Sequence, residues 1–168
     1  MTNPRKPLRL NVGFLTSAPI GVYRDFDFDY ERMPLGDDFS LTNFAGAAKI
    51  SRTPQGLFVQ GDFKGSLQLE CVRCLSDFSH ELTFEFNELY AFSQDNITEA
   101  GLLVPDDAHI DLLPLVRDFA LLEVPISPLC KLDCKGLCPE CGENLNEADC
   151  GHRKDADSPF SELKNLLN

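Results

Sequence analysis

The chain has 168 residues, 43% of them apolar, which is enough for one full core or a core with a small appendage. No apolar run approaches a bilayer span, so no membrane partner is expected. The net charge of −12 is the wrong sign for neutralising phosphates, and it disfavours tight binding to bare RNA or DNA while suiting a basic protein partner.

Local basic exceptions are Arg5, Lys6 and Arg9 at the start, and Lys131, Lys135, Arg153 and Lys154 around the later cysteines. Sparse charges of this kind read first as solvated surface. The opening Met-Thr-Asn-Pro-Arg-Lys-Pro carries no apolar leader, and the seven cysteines are odd in number. A reducing cytoplasm is therefore the expected location, and disulfides are the weaker account of the thiols.

Leu8 to Leu15 predicts a short strand. Residues 25–30 alternate strictly, which puts Phe26, Phe28 and Tyr30 on one face and Asp25, Asp27 and Asp29 on the other. These aspartates lack the glycine and loop spacing of a calcium site, so they read as a solvated acidic face. From Leu57 to Cys71 the alternation sets Leu57, Val59, Phe63, Leu67 and Leu69 against Gln60, Asp62, Lys64, Gln68 and Glu70, with Phe58 out of pattern.

Phe78, Leu82, Phe84, Phe86 and Tyr90 repeat the pattern after a short turn carrying Cys71 and Cys74, which predicts an antiparallel hairpin. His80 shares the apolar face and reads as a core histidine. Residues 93–108 lose period and gain acid, predicting a mobile connector. A helix is expected over 111–123, with Asp111 as N-cap and Leu112, Leu115, Val116, Phe119 and Leu122 as its buried stripe. Pro125 and Pro128 end it. A last helix is signalled by Ser158 as cap, Pro159 at its first position, then Phe160, Leu163, Leu166 and Leu167.

Between these helices lies Cys130-Lys-Leu-Asp-Cys134-Lys-Gly-Leu-Cys138-Pro-Glu-Cys141-Gly, followed by Cys150-Gly-His152. Two cysteines with two residues between them and glycine next form a turn that aims both sulfurs at one tetrahedral ion. The favoured ligand set is Cys134, Cys138, Cys141 and Cys150, binding zinc. Cys130 and His152 are near substitutes, and the Cys71/Cys74 pair is a more distant source. Iron–sulfur ligation and thiol redox chemistry at Cys71 and Cys74 are alternatives. Structural zinc supplies roughly 10–16 kcal/mol in small finger peptides, against about 5–15 kcal/mol for the stability of a whole domain. A segment with few large apolar residues is thus expected to need its ion.

The expected class is α+β: an antiparallel β-rich core with one packing helix over 1–125, then a small zinc-ribbon-like cysteine segment and terminal helix over 126–168. No nucleophile–base set or glycine-rich phosphate loop is present, so no enzyme is expected.

The order of parts resembles the YceD-like family, known for large ribosomal RNA subunit accumulation. The resemblance rests on Glu70-Cys-Val-Arg-Cys74, Ile110-Asp-Leu-Leu-Pro-Leu-Val, Glu123-Val-Pro-Ile-Ser-Pro-Leu-Cys and Cys134-Lys-Gly-Leu-Cys-Pro-Glu-Cys-Gly-Glu-Asn-Leu-Asn, closing on Ser-Pro-Phe. It implies a non-enzymatic factor supporting large-subunit ribosomal RNA and ribosome biogenesis, with ribosomal or assembly proteins as partners and at most weak RNA contact. Metal binding is read from this sequence and not from the family. The alternatives are an RNA-binding zinc ribbon using Lys131, Lys135, Arg153 and Lys154, and a redox protein using Cys71 and Cys74.

Overall fold

The computed structural model describes residues 6–152. Arg5, Arg153, Lys154 and the helix expected from Ser158 lie outside the described residues. The fold is mostly antiparallel β-sheet with few helices. Its described residues divide into two compact units, 6–69 with 79–126, and 70–78 with 127–152. The connection bearing Cys71 and Cys74, placed by sequence in the first domain, groups instead with the cysteine segment.

Four strands make the main sheet in the order β2 (Tyr23–Pro34), β3 (Ser40–Arg52), β4 (Gly56–Glu70) and β5 (Asp77–Ala91). β2 runs antiparallel to β3 with Asp27 opposite Ala47, and β3 runs antiparallel to β4 with Ala47 opposite Asp62. A register shift between Thr42 and Ala45 accompanies the left-handed Asn43, as in a β-bulge. Alternation sends one side chain in two inward. Phe28, Phe44, Phe63, Phe84 and Phe86 accordingly meet in one buried cluster.

Phe63 is the hub, with ring centroids of Phe44, Phe28, Phe84 and Phe86 between 5.3 and 5.9 Å away. Offset contacts of this kind add about 0.5–1.5 kcal/mol each beyond burial. Gly61 makes room for them, since a Cβ there would stand 2.6 Å from the Phe86 ring.

The strand expected from Leu8 to Leu15 is broken. β1 covers Arg9–Asn11, and α1, one turn over Gly13–Thr16, follows at once. The Asn11 side chain accepts a hydrogen bond from the Gly13 amide at 3.0 Å, drawing the backbone out of the strand. β1 pairs with β6 (His109–Asp111), so the acidic connector ends in order earlier than expected. Leu102 and Val104 within it pack on the core, and Ala91 bridges Leu103.

α2 spans Leu113–Leu122, shorter at both ends than the sequence suggests. Asp111 lies in β6, yet its carboxylate still accepts the Leu113 amide at 3.0 Å, and Pro114 suits the first turn. Leu115, Val116 and Ala120 are buried and Phe119 stacks on Phe86, whereas Leu122, expected in that stripe, is exposed. Arg117 reaches the β2–β3 loop, donating to the Leu35 carbonyl and pairing with Asp38 at 3.0 Å. That guanidinium holds the Asp38 carboxyl below its ordinary range. Among the described residues no helix is long and apolar enough to cross a membrane.

Candidate metal centres

The connection between β4 and β5 is a tight knuckle. Its first residue, Cys71, donates its amide to the Ser76 carbonyl at 3.0 Å and accepts from the Leu75 amide at 2.9 Å. Leu75 takes a left-handed φ of 56°. Pro128 accepts from the Val72 amide at 3.0 Å, Leu137 donates to the Arg73 carbonyl at 3.0 Å, and the Arg73 guanidinium donates to the Cys134 carbonyl at 3.0 Å. These bonds tie the knuckle to the segment after Pro128.

The result is a set of four sulfurs from Cys71, Cys74, Cys130 and Cys134, all within 4.8 Å of one another. Cys71 and Cys134 stand 3.8 Å apart, and Cys74 and Cys130 stand 3.6 Å apart. With metal–sulfur bonds of about 2.3 Å, tetrahedral sulfurs are separated by about 3.8 Å. A disulfide needs about 2.05 Å, and all seven cysteines are free. Cys71, Cys74 and Cys134 are buried, with Phe78, Leu129 and Leu137 as their thin apolar packing.

A second set brings together Cys138, Cys141, Cys150 and His152, again with ligand atoms within 4.8 Å. Its knuckle repeats the first: Cys138 donates to the Glu143 carbonyl at 2.8 Å and accepts from the Gly142 amide at 2.9 Å. Gly142 holds the left-handed φ of 76° that glycine adopts without strain. Cys138 is buried, Cys150 half-buried, and Cys141 and His152 exposed.

Hydrogen bonding splits the thiols of each set. Burial alone would push Cys71 up, but the amides of Cys130, Cys74 and Arg73 aimed at its sulfur pull it down to about 6. The amides of Cys141 and Glu140 likewise pull Cys138 down to about 6. Burial and the neighbouring thiols raise Cys130 to about 12. At Cys150 the His152 amide pulls down, yet burial and the thiols of Cys138 and Cys141 prevail, giving about 11. Each set thus pairs a ready thiolate with a thiol that a cation would have to deprotonate, and coordination does that outright.

The single site expected from Cys134, Cys138, Cys141 and Cys150 is therefore divided. The last three converge, with His152 as their fourth member, while Cys134 faces Cys71. The reason is local: the Leu137 amide is held by Arg73 and the intervening Gly136 turns the chain with φ 79°, so Cys134 and Cys138 leave that turn toward different sets. Asn146 secures Cys134 further, donating to its sulfur at 3.4 Å while accepting from the Lys135 amide at 2.9 Å. His80 is half-buried on β5 and belongs to neither set. Two four-residue Cys/His clusters could thus hold metal ions, and their all-soft or soft-plus-imidazole donors fit a thiophilic cation.

Residues 59–167 match the family described as large ribosomal RNA subunit accumulation protein YceD. An uncharacterized protein of Mycobacterium tuberculosis is 35% identical over 126 residues, covering 71% of this chain and 59% of the relative. An uncharacterized protein of Bacillus subtilis, YlbN, is 29% identical over 108 residues, covering 61% of this chain and 62% of its own length. The chloroplastic large ribosomal RNA subunit accumulation protein YCED homolog 1 of Arabidopsis thaliana is 41% identical over 64 residues, 37% of this chain and 20% of that protein. The chain thus spans less than two thirds of the length of these curated relatives. No solved structure matches it.

Proposed function

The chain belongs to the YceD family of large ribosomal RNA subunit accumulation proteins, and from that premise we propose that it is a non-enzymatic cytoplasmic factor in ribosome biogenesis. It supports accumulation of large-subunit ribosomal RNA by gripping a basic ribosomal or assembly protein. The observation that carries this reading is the outer face of the main sheet. Asp25, Asp27 and Asp29 on β2, Asp62 on β4 and Glu81 and Glu85 on β5 are all exposed there. In register across three strands, Asp27, Ala47 and Asp62 set two carboxylates beside a small residue, a flat acidic strip that a basic segment can approach closely. Lys49 and Lys64 interrupt this face without reversing its sign.

In this reading zinc in the Cys71, Cys74, Cys130 and Cys134 set fixes the cysteine unit, whose apolar packing is too thin to do so alone. Thiol redox catalysis has less support, because Cys71 and Cys74, both held below the ordinary thiol range by hydrogen bonds, are buried.

The test is a strain lacking the gene, complemented with wild type or with Asp25→Lys, Asp27→Lys and Asp29→Lys combined. Wild type should restore the ratio of large- to small-subunit ribosomal RNA, and the triple variant should not. An unchanged ratio in the deletion strain would remove the proposal. Tight capture of naked ribosomal RNA by the pure protein at physiological salt would replace the acidic-face mechanism with direct RNA binding.

A further inference from the structure

The ribosomal reading makes no use of the second cysteine set, which differs from the first in three ways. Its four members lie within residues 138–152, whereas the first set joins Cys71 and Cys74 to Cys130 and Cys134 from far along the chain. Its donors are three sulfurs and one imidazole. It is also open, since Cys141 and His152 are exposed, whereas Cys71, Cys74 and Cys134 are buried.

The orientation of His152 is the second, independent observation. Its Nδ1 lies 3.9 Å from the Cys138 sulfur, and its Nε2 lies 3.7 Å from Glu140 Oε2. One ring nitrogen thus faces the sulfurs while the other faces a carboxylate. Metal-binding histidines characteristically donate their remote N–H to a carboxylate, which fixes the tautomer and raises the basicity of the coordinating nitrogen. Glu140 sits between Cys138 and Cys141 in the knuckle itself, so the turn that presents two sulfurs also carries the carboxylate that faces the imidazole.

We propose that Cys138, Cys141, Cys150 and His152 form a second metal site, loaded separately from the first and faster to exchange, with Glu140 as the positioning residue for His152. The ligand class is a thiophilic divalent cation, zinc above all, in tetrahedral three-sulfur, one-nitrogen coordination. Exchange is faster because a competing chelator reaches an ion through its exposed ligands, and this site offers two. The proposal stands apart from the ribosomal role.

The experiment uses the full chain loaded with zinc. Elemental analysis and native mass spectrometry should find two ions per chain, and release to a chromogenic chelator should run in two phases of one equivalent each. Glu140→Gln should speed the fast phase by about 10–100-fold and leave the slow phase unchanged, with Glu140→Asp partly restoring it. His152→Ala should lose the fast equivalent, and His152→Cys should bring it back. The cadmium-substituted wild-type protein, which needs no variant to fold, should give two cadmium resonances, one for four sulfurs and one for three sulfurs and a nitrogen. One ion per chain, two ions leaving together, or phases insensitive to His152→Ala and Glu140→Gln would each overturn the proposal.

Discussion

Leu75 and Gly142 occupy the same place in two copies of one turn. φ is 56° at the first and 76° at the second, and each donates its amide over 2.9 Å to the carbonyl of the cysteine that opens its knuckle, Cys71 or Cys138. Glycine meets that requirement in the second copy, and a branched residue carries its cost in the first.

Replacing Leu75 by glycine is expected to stabilise the metal-loaded protein. A left-handed L-residue costs roughly 1–2 kcal/mol, glycine returns about 0.4–1 kcal/mol through the unfolded chain, and the half-exposed leucine side chain loses little contact. The net gain is about 0.5–1 kcal/mol, and Gly142→Ala should lose a similar amount. Urea denaturation of both variants decides this; destabilisation by Leu75→Gly would refute the strain.

Phe63→Ala should cost about 3–5 kcal/mol, because the ring is fully buried and touches four other aromatic rings. Phe119 is only half-buried and stacks on Phe86, so Phe119→Ala should cost visibly less. A thermal melt ranking the two in the opposite order would contradict the placement of the core.

Stripping metal with a chelator should open the cysteine unit and spare the sheet. Amide exchange should rise across 70–78 and 127–152 while 23–52 keeps its protection, since the latter rests on its own apolar core. Uniform loss of protection would show that the sheet also depends on the ion.

Tyr90 gives the pH dependence its sign. Burial, reinforced by the carboxylates of Asp111 and Glu88, pushes its phenol to about 12, while an unfolded tyrosine ionises near pH 10. The fold favours the neutral form, so this contribution is intact below pH 10 and disappears as pH rises through 12, on the order of 2 kcal/mol in all. Tyr90→Phe should be flat across that window in denaturation curves. A wild type equally flat there would mean that the phenol is open to solvent.

Alternation made β2, β4 and β5 legible in the chain, because Phe26 to Tyr30, Leu57 to Phe63 and Leu82 to Phe86 bury or half-bury every second side chain. β3 escaped notice. Its centre reads Asn43-Phe-Ala-Gly-Ala-Ala48, poor in the branched and aromatic residues that mark a strand, and its place between two strongly patterned partners decides its conformation. β1 lies inside the longer strand expected from Leu8 to Leu15, whereas β6, three residues long, declares itself only by pairing with β1. At the site, the cysteine spacings announced two knuckles able to hold a metal, but not the partition of ligands. The Cys71/Cys74 knuckle finds its partners through backbone bonds from Val72 and Arg73 to residues more than fifty positions later, a relation that no local spacing encodes. His152 was legible as a near-substitute ligand from Cys150-Gly-His, whereas the carboxylate of Glu140 facing its remote nitrogen shows only in the fold.

The span between Cys74 and Cys130, 56 positions in the chain, has a consequence for synthesis. At about 5–20 residues per second, the earlier pair leaves the ribosome several seconds before its partners, and during that interval it is two bare thiols without a completed cage. The later knuckle needs no such wait. Alkylating arrested nascent chains of increasing length should find Cys71 and Cys74 reactive until Cys134 has emerged and shielded afterwards, so that capture of the ion reports that translation has passed this point.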